Sequence, residues 1–146
     1  MKLFVAGIMQ GSLPGVEVHS QDYRVRVKEI VNQYYPEIDV VCPWEMHPDS
    51  PDYGPELARE TLLSMAELAG QCEIVVAFLP QASMGTALEM CRAYDGGRTI
   101  LTISPLRSNW VIQSFSDTVF PTLEAFETYV AEGRLLDGAN PRPEAE

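Results

Sequence analysis

Apolar residues along this chain fall into two alternating patterns. Short apolar-rich runs at 3–6, 38–42, 74–79 and 99–104 read as strands, and the β-branched run 74–79 has the pattern of a strand buried on both faces, as in a parallel sheet. Between the runs, apolar positions recur three or four residues apart. Tyr23, Val27, Ile30, Val31 and Tyr34 mark an amphipathic helix over 21–35, stopped by Pro36. Ala58, Leu62, Met65 and Ala69 mark the inward face of a second over 55–70, opened by Pro55. After the fourth run, Trp110–Phe115 reads as a short helix, Thr118–Phe120 as a short edge strand and 121–131 as a last helix.

Strands alternating with helices predict an α/β fold, a single doubly wound, five-stranded parallel sheet. Right-handed crossovers give it the flavodoxin-like order 2-1-3-4-5, with the switch point between the first and third strands. The loops after Gly7 and Pro80 then flank one crevice. The polar, proline-rich segment 43–53 follows the second strand and reads as an irregular lid over the same edge. One domain is expected over 1–136, with an acidic, proline-containing tail, 137–146, expected to be disordered.

The stretch 72–94 holds the chemistry. Pro80 ends the third strand, Ser83 stands at a helix N-cap, and Gly96-Gly97 closes the helix. The amides of Met84, Gly85 and Thr86 open that helix without intrahelical partners, at the positive end of its dipole. Gly85 has no side chain, so an anionic or hydroxyl-bearing ligand can come close to the backbone. Glu89 lies one turn on, read as an exposed residue whose carboxylate looks into the crevice. Taken alone, Ser83 could be only a cap and Glu89 only a solvated glutamate.

The segment P-x-x-S-x-G-T-A-x-E, formed by Pro80, Ser83, Gly85, Thr86, Ala87 and Glu89, resembles the signature of the nucleoside 2-deoxyribosyltransferase-like family. That family includes transferases and deoxynucleoside-monophosphate N-glycosidases. The first strand ending at Gly7, the strand before the signature and the Gly97-Arg98-Thr99-Ile100 continuation are similar too, so the likeness runs through most of the chain. Only the signature is specific. The resemblance implies that Glu89 is the nucleophile that attacks the anomeric carbon. It implies that Ser83, Gly85 and the neighbouring amides hold the 5′ end of a nucleoside or nucleotide.

This chain also departs from the family. Members carry an aspartate in the helix before the signature, and the matching place falls near Met65. Where the nucleotide-cleaving branch has serine and arginine in the first loop, Ile8 and Gln10 stand here, so a phosphate clamp would have to come from Arg24 or Arg107. The signature partly echoes the P-G-G-x-G-T-x-x-E motif of cytokinin-activating phosphoribohydrolases, with Gln81-Ala82 in place of the two glycines. A non-catalytic nucleotide-binding module is the alternative from another class.

Trp44, His47 and Tyr53 in the lid could stack on a base or could simply pack the lid down. His47 could serve as a general acid or be solvated. Asp49, Asp52 and His47 have no recognisable ligand spacing, so no metal site and no cofactor are expected. The formal charge of −11 argues against nucleic-acid or anionic-membrane surfaces. Met1-Lys2 leads straight into a strand and no apolar run suits a bilayer, so a cytoplasmic protein is expected. Cys42, Cys72 and Cys91 read as buried free thiols. Arg107 to Ile112, with Phe115, carries more large apolar side chains than one short helix can bury. A homodimer or higher homo-oligomer is therefore expected, a state the resemblance also implies, with Asn109 lent to a neighbour's pocket.

Overall fold

A computed structural model describes residues 1–138, and 139–146, most of the expected tail, lie outside the described residues. In chain order the elements are β1 (Lys2–Gly7), α1 (Asp22–Tyr34), β2 (Asp39–Val41), α2 (Pro43–Met46), a 3-10 turn (Ser50–Asp52), α3 (Pro55–Gln71) and β3 (Ile74–Phe78). They continue with α4 (Met84–Asp95), β4 (Thr99–Ile103), α5 (Trp110–Phe115), β5 (Thr118–Phe120) and α6 (Leu123–Ala131). The five strands form one parallel sheet in the order β2-β1-β3-β4-β5. Gly7 pairs with Phe78, so β1 and β3 end level, and the switch point between them opens at one edge.

Strand alternation divides the core into two layers. Leu3, Val5, Ile74, Val76, Leu101 and Ile103 face α1 and α6. Phe4, Ala6, Val75, Ala77 and Ile100 face α3, α4 and α5. Strands covered on both sides need apolar residues at every position, which is why the runs showed no period-two alternation. Each fully buried Val, Ile or Phe side chain contributes about 2 kcal/mol from burial alone. Leu135 is buried too, and Gly138 accepts a hydrogen bond from Thr99 Oγ1, so the chain is tied down through the first residues of the expected tail.

Three expectations need correction. The lid is not wholly irregular: Pro43, with φ preset for a first turn, opens the one-turn helix α2, and His47 N–H closes it on the Pro43 carbonyl at 2.9 Å. On α3, Met65 and Ala69 are buried as expected, but Ala58 and Leu62 are exposed. The reason is length: 17 residues of helix span about 26 Å, whereas the five residues of β3 span about 17 Å. The first half of α3 therefore overhangs the sheet edge and becomes a wall. On α1, Tyr34 is 39% exposed and Arg24 is buried. The three cysteines are free, Cys42 and Cys72 buried and Cys91 partly so.

Candidate functional site

A cleft of about 530 Å³ opens at the carboxyl ends of β1 and β3, over the switch point. One side is the loop after β1, with Met9, Gln10 and Gly11; the overhanging half of α3 supplies Ala58, Arg59 and Leu62, and buried Met65 lies further along the same helix. The lid contributes Pro43, His47 and Tyr53, and the first turns of α4 contribute Ser83, Met84, Gly85, Thr86 and Glu89. Gly7 and Arg24 lie beneath. Among the described residues, Glu89 is the one acid that lines the cleft.

Ser83 caps α4 as expected: Thr86 N–H donates to its Oγ at 3.3 Å, and the Thr86 hydroxyl donates to the same atom at 3.0 Å. With two bonds accepted, the hydroxyl hydrogen of Ser83 remains for a ligand. Gly85 is informative for the opposite reason. A Cβ there would meet only Leu62 Cδ1, at an ordinary 3.8 Å, and its φ is negative. Neither packing nor backbone geometry calls for glycine, so the missing side chain leaves space in the cleft. Gly7 differs: a Cβ there would run into the Tyr23 hydroxyl and ring. Tyr23 stacks on Phe78 at 4.3 Å between centroids and donates to the Ile8 carbonyl at 3.1 Å, so Gly7 is demanded by packing.

Glu89 is half-buried rather than exposed, which corrects the sequence reading. Although it lines the cleft, its carboxyl sits deep in protein, and burial pushes it up to about 8, with the charge of Arg24 pulling the other way. Arg24 is only 4% exposed. Its Nε donates to Gln21 Oε1 at 2.7 Å, Nη1 to the Val5 carbonyl at 2.7 Å and Nη2 to the Gly7 carbonyl at 3.2 Å. Burial also raises the Tyr23 phenol; Arg24 lowers it and Glu89 adds to the rise, so all three groups feel one another.

Across the cleft, His47 Nδ1 and the Tyr53 hydroxyl share a hydrogen bond at 3.1 Å, ring edge against ring face. The structure thus brings Gly7, His47, Ser83, Met84, Gly85 and Glu89 around one space. It does not bring Trp44 or Asn109 there. Trp44 sits half-buried in α2, outside the cleft lining. Asn109 is exposed and caps α5, its Oδ1 accepting from Val111 N–H at 3.0 Å and from Ile112 N–H at 3.4 Å. Sequence reasoning passed over Arg59, whose position one turn before Leu62 on α3 was the available signal. It named Arg24 only as a possible phosphate clamp, and Arg107 is not in the lining. Among the described residues no group of three or more His, Cys, Asp or Glu side chains could hold a metal ion, and no helix is long and apolar enough to cross a membrane.

No protein-family model matches the chain, and no curated protein matches its sequence. Solved structures do share its fold. A 2-deoxyribosyltransferase from Bacillus psychrosaccharolyticus aligns with a TM-score of 0.65 at 16% identity, over 88% of this chain and 92% of its own. The Clostridium botulinum CMP N-glycosidase BcmB aligns with a TM-score of 0.54 at 13% identity, over 91% of this chain and 99% of its own. A conserved protein from Enterococcus faecalis V583 aligns with a TM-score of 0.56 at 19% identity, over 91% and 98%.

Proposed function

We propose that this protein is an enzyme of the nucleoside 2-deoxyribosyltransferase-like family that cleaves the N-glycosidic bond of a nucleoside or nucleoside monophosphate. The observation that carries the reading is Glu89, the one acid lining a cleft that also holds the amino end of α4. Two of the fold's relatives, a 2-deoxyribosyltransferase and a CMP N-glycosidase, are named for such chemistry. A nucleophilic carboxylate at that place forms a bond to C1′ as the C1′–N bond breaks, through an oxocarbenium-like transition state. Water then resolves the glycosyl-enzyme, or a second base does in a transferase. The Ser83 hydroxyl and the amides of Met84 and Gly85 hold the 5′ end. His47 and Tyr53, hydrogen-bonded to each other on the lid, face the base, and one of them supplies the proton that the missing helix aspartate would give.

The active form in this reading is a homodimer or higher homo-oligomer. Trp110 is 84% exposed at the start of α5, next to Asn109, which completes a neighbour's cleft. One observation favours a second reading, a nucleotide-binding module without turnover: burial pushes Glu89 towards its neutral, non-nucleophilic form. Incubation with a panel of nucleosides and monophosphates separates the two. Release of free base supports the enzyme, whereas a ligand-induced rise in melting temperature without base release supports the module.

A further inference from the structure

We propose that Arg24 is a positioning residue of the cleft, a buried and immobile positive charge that eases ionisation of the Glu89 carboxyl for attack. The inference rests on the reading of Glu89 as nucleophile and adds a group that opposes the cost of its burial.

The surroundings of Arg24 do not balance its charge. Arg24 is buried, yet its three hydrogen bonds go to two backbone carbonyls and one side-chain amide, all neutral, and it makes no ion pair among the described residues. The guanidinium carbon also lies 5.0 Å from the centroid of the Tyr23 ring, a cation–π contact, but a buried cation held by neutral groups alone is costly unless an anion shares its surroundings. Among the described residues, the one acid lining the cleft that Arg24 lines is Glu89. These three bonds leave two of the five guanidinium N–H groups without an acceptor among the described residues. Because two bonds run to carbonyls of β1, the charge is anchored to the sheet and cannot follow a substrate. That distinguishes it from Arg59, an exposed arginine on the α3 wall that is free to swing.

Other groups around Glu89 cannot take its place. Tyr23, also on α1, donates to the Ile8 carbonyl and is held in its neutral form by burial. Cys42, beside Tyr23, carries no positive charge. From the lid come His47 and Tyr53, hydrogen-bonded to each other, and from α4 itself the hydroxyls of Ser83 and Thr86, which bond to one another. Arg24 is the sole buried cation among these groups. Its effect is in the required direction, opposing the burial that pushes the Glu89 carboxyl up.

The test is to titrate Glu89 directly, by carbon NMR of the labelled carboxyl in the full-length protein, in wild type and in two uncharged variants, Arg24→Gln and Arg24→Met. A neighbouring opposite charge holds a carboxyl midpoint down. The Glu89 midpoint should therefore rise in both variants, and Arg24→Lys should restore most of it. The acid limb of kcat/KM should move by the same amount. If a variant is too unstable at high pH, its melting temperature reads the same coupling. The loss relative to wild type should grow from pH 6 to pH 9, and that growth should vanish in a Glu89→Gln background. A merely structural role for Arg24 predicts the same loss at both pH values and an unmoved midpoint, and either result overturns the inference. The two proposals fail separately. Base release with an unmoved midpoint removes the role of Arg24 and leaves the glycosidase. A moved midpoint in a protein that cleaves nothing removes the glycosidase and leaves the coupling.

Discussion

Gly85 and Glu89 show how single residues can carry opposite stability and functional demands. Since a Cβ at Gly85 meets nothing closer than 3.8 Å, Gly85→Ala should gain about 0.5–1 kcal/mol of helix stability. The same methyl enters the space kept for the ligand. Calorimetry should show an equal or higher melting temperature while KM rises, and a lower melting temperature with KM unchanged would contradict this use of Gly85. Glu89 behaves in the reverse way. Its carboxyl holds a proton more tightly in the folded protein, near pH 8, than at its ordinary 4.5. Between those values folding takes up a proton, so stability is full below about 4.5 and falls as pH rises through about 8. Glu89→Gln removes that charge, so its gain in melting temperature over wild type should be larger at pH 9 than at pH 5. A gain that does not depend on pH would show that burial does not act on this carboxyl. The identity of Glu89 was legible in the signature, but its burial was not, because the wall that covers it comes from α1 and α3, distant in sequence.

At the level of elements, α4 was the most legible part of the chain. The cap at Ser83 and the glycines at its end are local signals, and Gly97, at φ +67°, makes the left-handed turn that only a local rule needs to explain. Ser83→Ala should cost about 1 kcal/mol through loss of the cap. It should also raise KM, more for monophosphates than for nucleosides if the phosphate sits on the α4 amides. An unchanged KM in a destabilised variant would reduce Ser83 to a cap. The lid and the start of α3 were less legible. A one-turn helix such as α2 has too few residues to show periodicity, and whether Ala58 and Leu62 face core or cleft depends on where β3 ends. Arg24 was missed as a buried residue for a similar reason. A charged residue breaks an apolar pattern, and its carbonyl partners on β1 belong to another element.

For the molecule as a whole, strand order followed from alternation and handedness, and it was read in full from the sequence. The expectation of an apolar patch has a counterpart in Trp110, while Ile112 is fully buried and Phe115 packs near Tyr94 at 5.0 Å between ring centroids. If the chain works as an oligomer, sedimentation at micromolar concentration should show a dimer or larger species, and Trp110→Ser should weaken it. A clean monomer ends that idea. If Asn109 is lent across the interface, Asn109→Ala and Glu89→Ala proteins should each be poor alone and recover activity on mixing, and no recovery would place Asn109 outside the shared site. The charge of −11 does not oppose an anionic ligand, because the cleft itself holds two arginines and a helix amino end against one acid. All of this turns on whether Glu89 does covalent chemistry. The most direct measurement is chromatographic release of free base from the nucleoside and monophosphate panel, by wild type and by Glu89→Ala of confirmed fold. Wild type should release base from at least one member, and Glu89→Ala should be slower by several orders of magnitude. A folded Glu89→Ala protein that still releases base at a comparable rate would contradict it.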